Sequence, residues 1–147
     1  MRDKIYVALI HYPVYNKNDE IVATSVTNFD IHDISRTCRT YDIKKYFIVT
    51  PVDAQIELTN RIIGFWQDGE GVEFNKNRNE AFENTLLETS VESTIEKIKE
   101  IEGIGPQIIT TSAKIFPFSL LLDKRISSSR AIAIGLIRVY PSRTTLA

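Results

Sequence analysis

The chain of 147 residues predicts an α/β domain: a largely parallel sheet with flanking helices. Three observations carry that expectation. Two short apolar runs, KIYVALIH (4–11) and KYFIVTP (45–51), are separated by a segment with a helical period. The alternation continues through VDAQIELTNRIIGFW (52–66) and SVESTIEKIKEIEG (90–103). A further apolar run with a polar end, PQIITTSA (106–113), follows the last of these helices. Strands that alternate with helices fold as parallel sheets covered on both faces. The length fits one domain, 1–147, large enough to bury a core.

Each element has its own local reason. KIYVALIH reads as a buried strand stopped by Pro13, with the polar turn YNKNDE behind it, and IVATSV (21–26) as a strand extension or hairpin arm. From Asn28 to Tyr41 the period is helical, because Ile31, Ile34, Cys38 and Tyr41 recur on one arc. KYFIVTP is a short strand closed by proline, and the next helix carries Ile56, Ile62, Ile63 and Trp66 on its apolar side before QDGEG stops it. GVEF (71–74) reads as a small strand, and NRNEAFENTL as a helix capped by Asn77 with Glu80 at capping-box spacing. In SVESTIEKIKEIEG, Val91, Ile95, Ile98 and Ile101 face inward and Gly103 terminates the helix.

Composition narrows the function classes. The apolar fraction of 43% and charged fraction of 25% are those of an ordinary globular chain, and a net charge of −1 argues against indiscriminate nucleic-acid binding. The charge is unevenly spread: residues 114–147 carry six Lys and Arg against Asp123 alone, whereas residues 1–113 are acidic overall. Cys38 is the single cysteine, which excludes an internal disulfide and a multi-cysteine zinc site. The first apolar run is too short for a leader and lacks a cleavage site, and AIAIGLI (131–137) is far shorter than a membrane span. A cytoplasmic protein without a membrane association is expected.

The helix from Asn28 is the most informative segment. At about 100° per residue, Asn28, His32, Ser35, Arg36 and Arg39 share an arc opposite its apolar one. Arginine suits phosphate or a base edge because its planar fork donates two hydrogen bonds at once, and His32 titrates near neutral pH. From spacing alone a solvated helix face explains the stripe better than a binding surface does; Asn28 also suits an N-cap, and Asp30 and Asp33 suit the helix dipole. Thr111 and Ser112 stand at a strand end, where α/β sheets bind ligands, and Thr50 and Pro51 occupy the same place on another strand.

Other features point away from chemistry. His11 closes the first strand and reads as a packed or hydrogen-bonded histidine. With two histidines and no His-x-x-x-His or Cys-x-x-Cys spacing, no dedicated metal site is expected. GEG (69–71) and GIG (103–105) do not extend to a dinucleotide-binding fingerprint. Trp66 beside Phe65 reads as core or interface rather than as a base-stacking platform, and Cys38, on the apolar arc, as inert.

Taken together, HYPVYNK, TNFDIHDISRTCRTY and TSAK, with RIIGFWQDGEGVEFNKNRNEAFE between them, resemble the knotted SPOUT class of S-adenosylmethionine-dependent RNA methyltransferases. The branch is a bacterial one whose domain also occurs beside tRNA guanine-N1 methyltransferases, and the resemblance covers about residues 1–114. It implies a SPOUT-like fold, S-adenosylmethionine as cofactor, tRNA or rRNA as substrate and a homodimer. By position in the class motifs, Arg36 is the catalytic residue, with Asn28, His32 and Arg39 facing RNA. Thr111, Ser112 and Ala113 fall in the first cofactor loop, and Gly135 in RAIAIGLIRVYP is the one glycine left of a Gly-rich loop.

The chain departs from the class after Ala113. Residues 115–147 contain neither G-T-G-x-G-L nor N-x-L-S-V-R, so the expectation is a SPOUT-like domain lacking the C-terminal knot. The abrupt turn to a Ser/Arg-rich composition reads as a truncation or a change of reading frame. The alternative function is therefore a non-catalytic RNA-binding protein or an inactive, truncated one.

Overall fold

Strand β1, Lys4–Ile10, is the centre of the molecule, a computed structural model that describes residues 4–16, 18, 20–110 and 133–139. Its residues alternate between two faces, as a pleated strand requires. Tyr6, Ala8 and Ile10 enter one core cluster with Phe47, Val49 and Ile98, and Val7 and Leu9 enter the other.

After β1 the chain makes a small hairpin, β2 (Val14–Tyr15) with β3 (Ile21–Val22). The Asn16 side-chain oxygen accepts hydrogen bonds from the Asn18 and Glu20 amides at 2.8 and 3.1 Å, which holds the reversal. Helix α1 (Asn28–Thr40), strand β4 (Lys45–Val49) and helix α2 (Asp53–Gln67) follow within two residues of the expected boundaries. GVEF, expected as a strand, forms a one-turn helix, α3 (Gly71–Phe74). Its four residues run between two helices, and among the described residues no strand pairs with them to complete a ladder.

Helix α4 spans Lys76–Phe82 and its cap is Asn75 rather than Asn77, with the Asn75 side chain accepting from the Arg78 amide at 3.1 Å. The helix ends early because Thr85–Glu88 leaves as strand β5. That strand gains a full parallel ladder on β4 and places Leu86 against one core cluster and Leu87 against the other. Helix α5 (Val91–Glu102) is closed by Gly103 at φ 73°, the left-handed conformation that glycine adopts without a Cβ clash. Thr94 and Ile98 are its buried residues; Ile101, expected inward, is 36% exposed. Strand β6 (Gln107–Thr110) and strand β7 (Ala133–Val139) complete the sheet.

The sheet order is β5-β4-β1-β7-β6. β1, β4 and β5 are mutually parallel, and β7 runs antiparallel to both β1 and β6. Four strands thus point the same way and β7 alone is reversed, a largely parallel sheet as expected. Ile98 of α5 covers one face, while Ile31 and Cys38 of α1, Ile63 of α2 and Phe82 of α4 cover the other. Burying side chains such as Leu9, Phe47 and Ile48 contributes about 1.5–3 kcal/mol each. Among the described residues no helix is long and apolar enough to cross a membrane.

Candidate nucleic-acid interface

Helix α1 starts from a capping box. The Thr27 amide and hydroxyl donate to the Asp30 carboxylate at 2.8 Å each, and the Asp30 amide donates back to the Thr27 hydroxyl. Thr27 is the N-cap, so Asn28 is the first helical residue, exposed and released from capping duty. The Tyr46 hydroxyl donates to the Asp30 carbonyl at 3.0 Å and fixes this end of α1 to β4.

The polar stripe does not behave as one surface. Ser35 is buried: its hydroxyl donates to the Ile31 carbonyl at 2.5 Å and lies 2.8 Å from the Thr85 hydroxyl. A small side chain that satisfies its oxygen on its own helix can be buried where a longer polar one cannot. Tyr41, expected on the buried arc, is 75% exposed because it sits at the C-cap, where the helix has already left the sheet. Arg36 and Arg39 point outward; among the described residues their partners are Asp33 at 2.5 Å and Glu80 at 3.3 Å.

His32 turns inward from the stripe. Its ring stands edge-on to Phe82 and Trp66, with centroids 5.2 and 6.0 Å away, and its Nδ1 is buried without a hydrogen-bond partner. Burial, then the charges of Arg78 and Arg36, push its pKa down, against a smaller upward pull from Asp33. It is therefore a neutral imidazole at pH 7, poor as a proton shuttle but able to donate or accept one hydrogen bond.

Between α1 and α2 lies an open groove of about 450 Å³, lined by Asn28, His32, Leu58, Arg61, Ile62, Phe65 and Trp66. The Arg78 guanidinium lies 4.5 Å from the centre of the Trp66 ring, and Phe65 meets Trp66 edge-on at 5.1 Å. Arg61 and Arg78 were not singled out from sequence, and Phe65 only as a neighbour of Trp66. Arg61 and Phe65 carry a usable signal, since their spacing of four places both on one face of α2; nothing in the linear order brings Arg78 to Trp66.

The carboxyl ends of β1, β4 and β5 are level, with Ile10 opposite Val49 and Val49 opposite Glu88. Buried His11 sits at this edge, its Nδ1 2.9 Å from the Thr24 hydroxyl and its Nε2 without a hydrogen bond, 3.8 Å from the Asp30 carboxylate. It is packed and hydrogen-bonded, as expected, and burial lowers its pKa more than Asp30 raises it. Thr50 is also fully buried, and its hydroxyl accepts from the Val52 amide at the entry to α2 rather than facing a ligand. Cys38 is buried and its thiol is pushed up to about 11 by desolvation, which makes it unreactive. Thr111, Ser112 and Ala113 lie outside the described residues, as do 114–132 and 140–147. Gly135 is a strand residue, opposite Ala8 on one side and Thr110 on the other. No cluster of three or more His, Cys, Asp or Glu suited to a metal occurs among the described residues.

The fold is an α/β domain with a largely parallel sheet and an arginine-bearing helix after the first strand of that sheet. The chain belongs to the SAM-dependent RNA methyltransferase family, whose pattern matches residues 4–136. It is 37% identical over 117 residues to a protein of Aquifex aeolicus, covering 80% of this chain and 57% of that one. It is 41% identical over 110 residues to a tRNA (guanine-N(1)-)-methyltransferase of Oleidesulfovibrio alaskensis, and 38% identical to the like-named protein of Nitratidesulfovibrio vulgaris. Each of these two alignments covers 75% of this chain and 26% of the relative. The chain thus spans little over half of the first relative and about a quarter of the other two.

Proposed function

We propose that this protein transfers a methyl group from S-adenosylmethionine to a nucleotide of tRNA or rRNA, as a homodimer in the cytoplasm. The observation that carries the reading is the outward placement of Arg36 and Arg39 on α1 in a chain of this family; the cofactor is assigned to the carboxyl edge of the sheet. The edge fits such a cofactor in its chemistry. It holds an orphaned, buried His11 Nε2, and Gly135 adds no side chain opposite Thr110, where the TTSA segment begins. Thr111, Ser112 and Ala113, with Gly135, are the proposed cofactor contacts. When bound, the cofactor supplies an activated methyl group on its sulfonium.

The chain's own part is positioning and charge. Arg36 gives up only an exposed ion pair with Asp33, worth at most about 0.5 kcal/mol, when it swings to an RNA phosphate or to the target base. A fork on the phosphate orients the nucleotide, and a fork on the base favours loss of its proton. Arg39 extends the phosphate track, and Asn28 and the neutral His32 offer hydrogen bonds. The test is calorimetric titration of folded protein with S-adenosylmethionine. One-site saturable binding is expected; no heat would replace this reading with a non-catalytic RNA-binding protein, the alternative favoured by the absence of G-T-G-x-G-L in 114–147.

A further inference from the structure

We propose that the groove between α1 and α2 is a subsite for one unpaired nucleobase of the RNA, stacked on Phe65 and read by His32 and Asn28, with its phosphate on Arg61. The proposal rests on the RNA reading above and names the part of the surface that grips a base rather than the backbone.

The lining sets the ligand class. Its three polar members are an amide, an imidazole and a guanidinium, and it contains no carboxylate. Arg78 and Arg36 act on His32 from outside the groove, so the field there favours an anionic ligand. The neighbouring depression has the opposite character, with Asp68, Glu70 and Glu73 in its wall, which steers a polyanion towards the α1–α2 side. A volume of about 450 Å³ lies in the range of small-molecule sites.

The aromatic surface available is also specific. Trp66 has a face taken by Arg78 and the edges of His32 and Phe65 against it, so it is already packed. Phe65 is 45% exposed and forms the open wall. Flat bases stack on such rings irrespective of sequence, whereas an amide and an imidazole read the base edge. His32 lines the groove, and its buried Nδ1 has no hydrogen-bond partner among the described residues.

Dye-labelled single-stranded oligoadenylate supplies the affinity by anisotropy, and emission of Trp66, the only tryptophan, reports the place. Inorganic polyphosphate of equal charge is the competitor without bases. Oligoadenylate is expected to bind more tightly than polyphosphate and to perturb Trp66 saturably. Phe65→Leu should weaken oligoadenylate roughly tenfold, the loss of one stacked base, and leave polyphosphate unchanged. Arg61→Ala should weaken both by a similar, salt-dependent factor. Equal affinity for the two polyanions, or Phe65→Leu binding as wild type does, overturns the subsite. Methyl transfer to bulk tRNA on the same proteins separates the two readings. Transfer unaffected by Phe65→Leu overturns the subsite alone. Base-dependent binding lost in Phe65→Leu, in a protein that transfers no methyl, supports the subsite and overturns the enzyme reading alone.

Discussion

The Ser35 hydroxyl lies 2.8 Å from that of Thr85, fully buried between α1 and β5. It joins the arginine-bearing helix to the sheet edge strand through a polar contact inside an apolar layer. Ser35→Ala removes this contact and strands the Thr85 hydroxyl, whose remaining partner, the Ala81 carbonyl, is at 3.5 Å. A loss of about 1–2 kcal/mol in urea unfolding is expected. A variant as stable as the wild type would show that Ser35 contributes only its volume.

Arg36→Ala carries the opposite expectation. Its side chain is 57% exposed and, among the described residues, paired with Asp33 alone, so the stability should stay within about 0.5 kcal/mol of wild type. Methyl transfer should be abolished in that variant and largely lost in Arg36→Lys, which keeps the charge without the fork. Unaltered turnover in Arg36→Ala removes this side chain from the reaction.

These two neighbours on α1 show what was legible in the sequence. Period alone placed Ile31 and Cys38 inward and Arg36 and Arg39 outward, because long apolar and charged side chains have strong, opposite preferences. Ser35 has no such preference, and its burial depends on Thr85, fifty residues away. Strand β5 was absorbed into a helix because TLLE is too short to show a period of two; its identity comes from the β4 ladder. The groove was illegible for the same reason: Trp66 and Phe65 were visible, but their relation to His32 and Arg78 exists only after packing.

Glu102 marks the end of the sheet away from the candidate site. Its buried carboxylate accepts hydrogen bonds from Lys4, from the Tyr6 hydroxyl and from Lys44 at 2.6 Å. Burial alone would raise its pKa; the hydrogen bonds from Lys4, Lys44 and Tyr6, with the Lys44 charge, outweigh that and hold it at about 2. The folded value lies below the unfolded one near 4.5, so the stabilisation is complete above the unfolded value and is lost as pH falls towards 2. It amounts to at most about 3 kcal/mol, less because Lys4 and Lys44 are 52% and 39% exposed and solvent screens them. Glu102→Gln should therefore lower stability at pH 7 while flattening its fall between these limits. Parallel pH curves for the two proteins would exclude Glu102 as the titrating group.

Gly71 tests how tightly the groove wall is built. A Cβ there would come within 2.7 Å of Trp66 Cε3 and 2.8 Å of both Phe65 Cε1 and the Phe65 carbonyl oxygen. The rings can swing aside, but the carbonyl belongs to the last turn of α2, so Gly71→Ala has to displace backbone. Overpacking of this kind costs about 1–3 kcal/mol. Gly103→Ala is the control: open space surrounds its Cβ position, and its cost is the left-handed φ of 73° alone, about 1 kcal/mol. Both variants should lose stability, but only Gly71→Ala should shift Trp66 emission and weaken oligoadenylate binding. Emission and affinity unchanged in Gly71→Ala would mean that the Phe65–Trp66 wall accommodates a methyl group and has no fixed shape to offer a base.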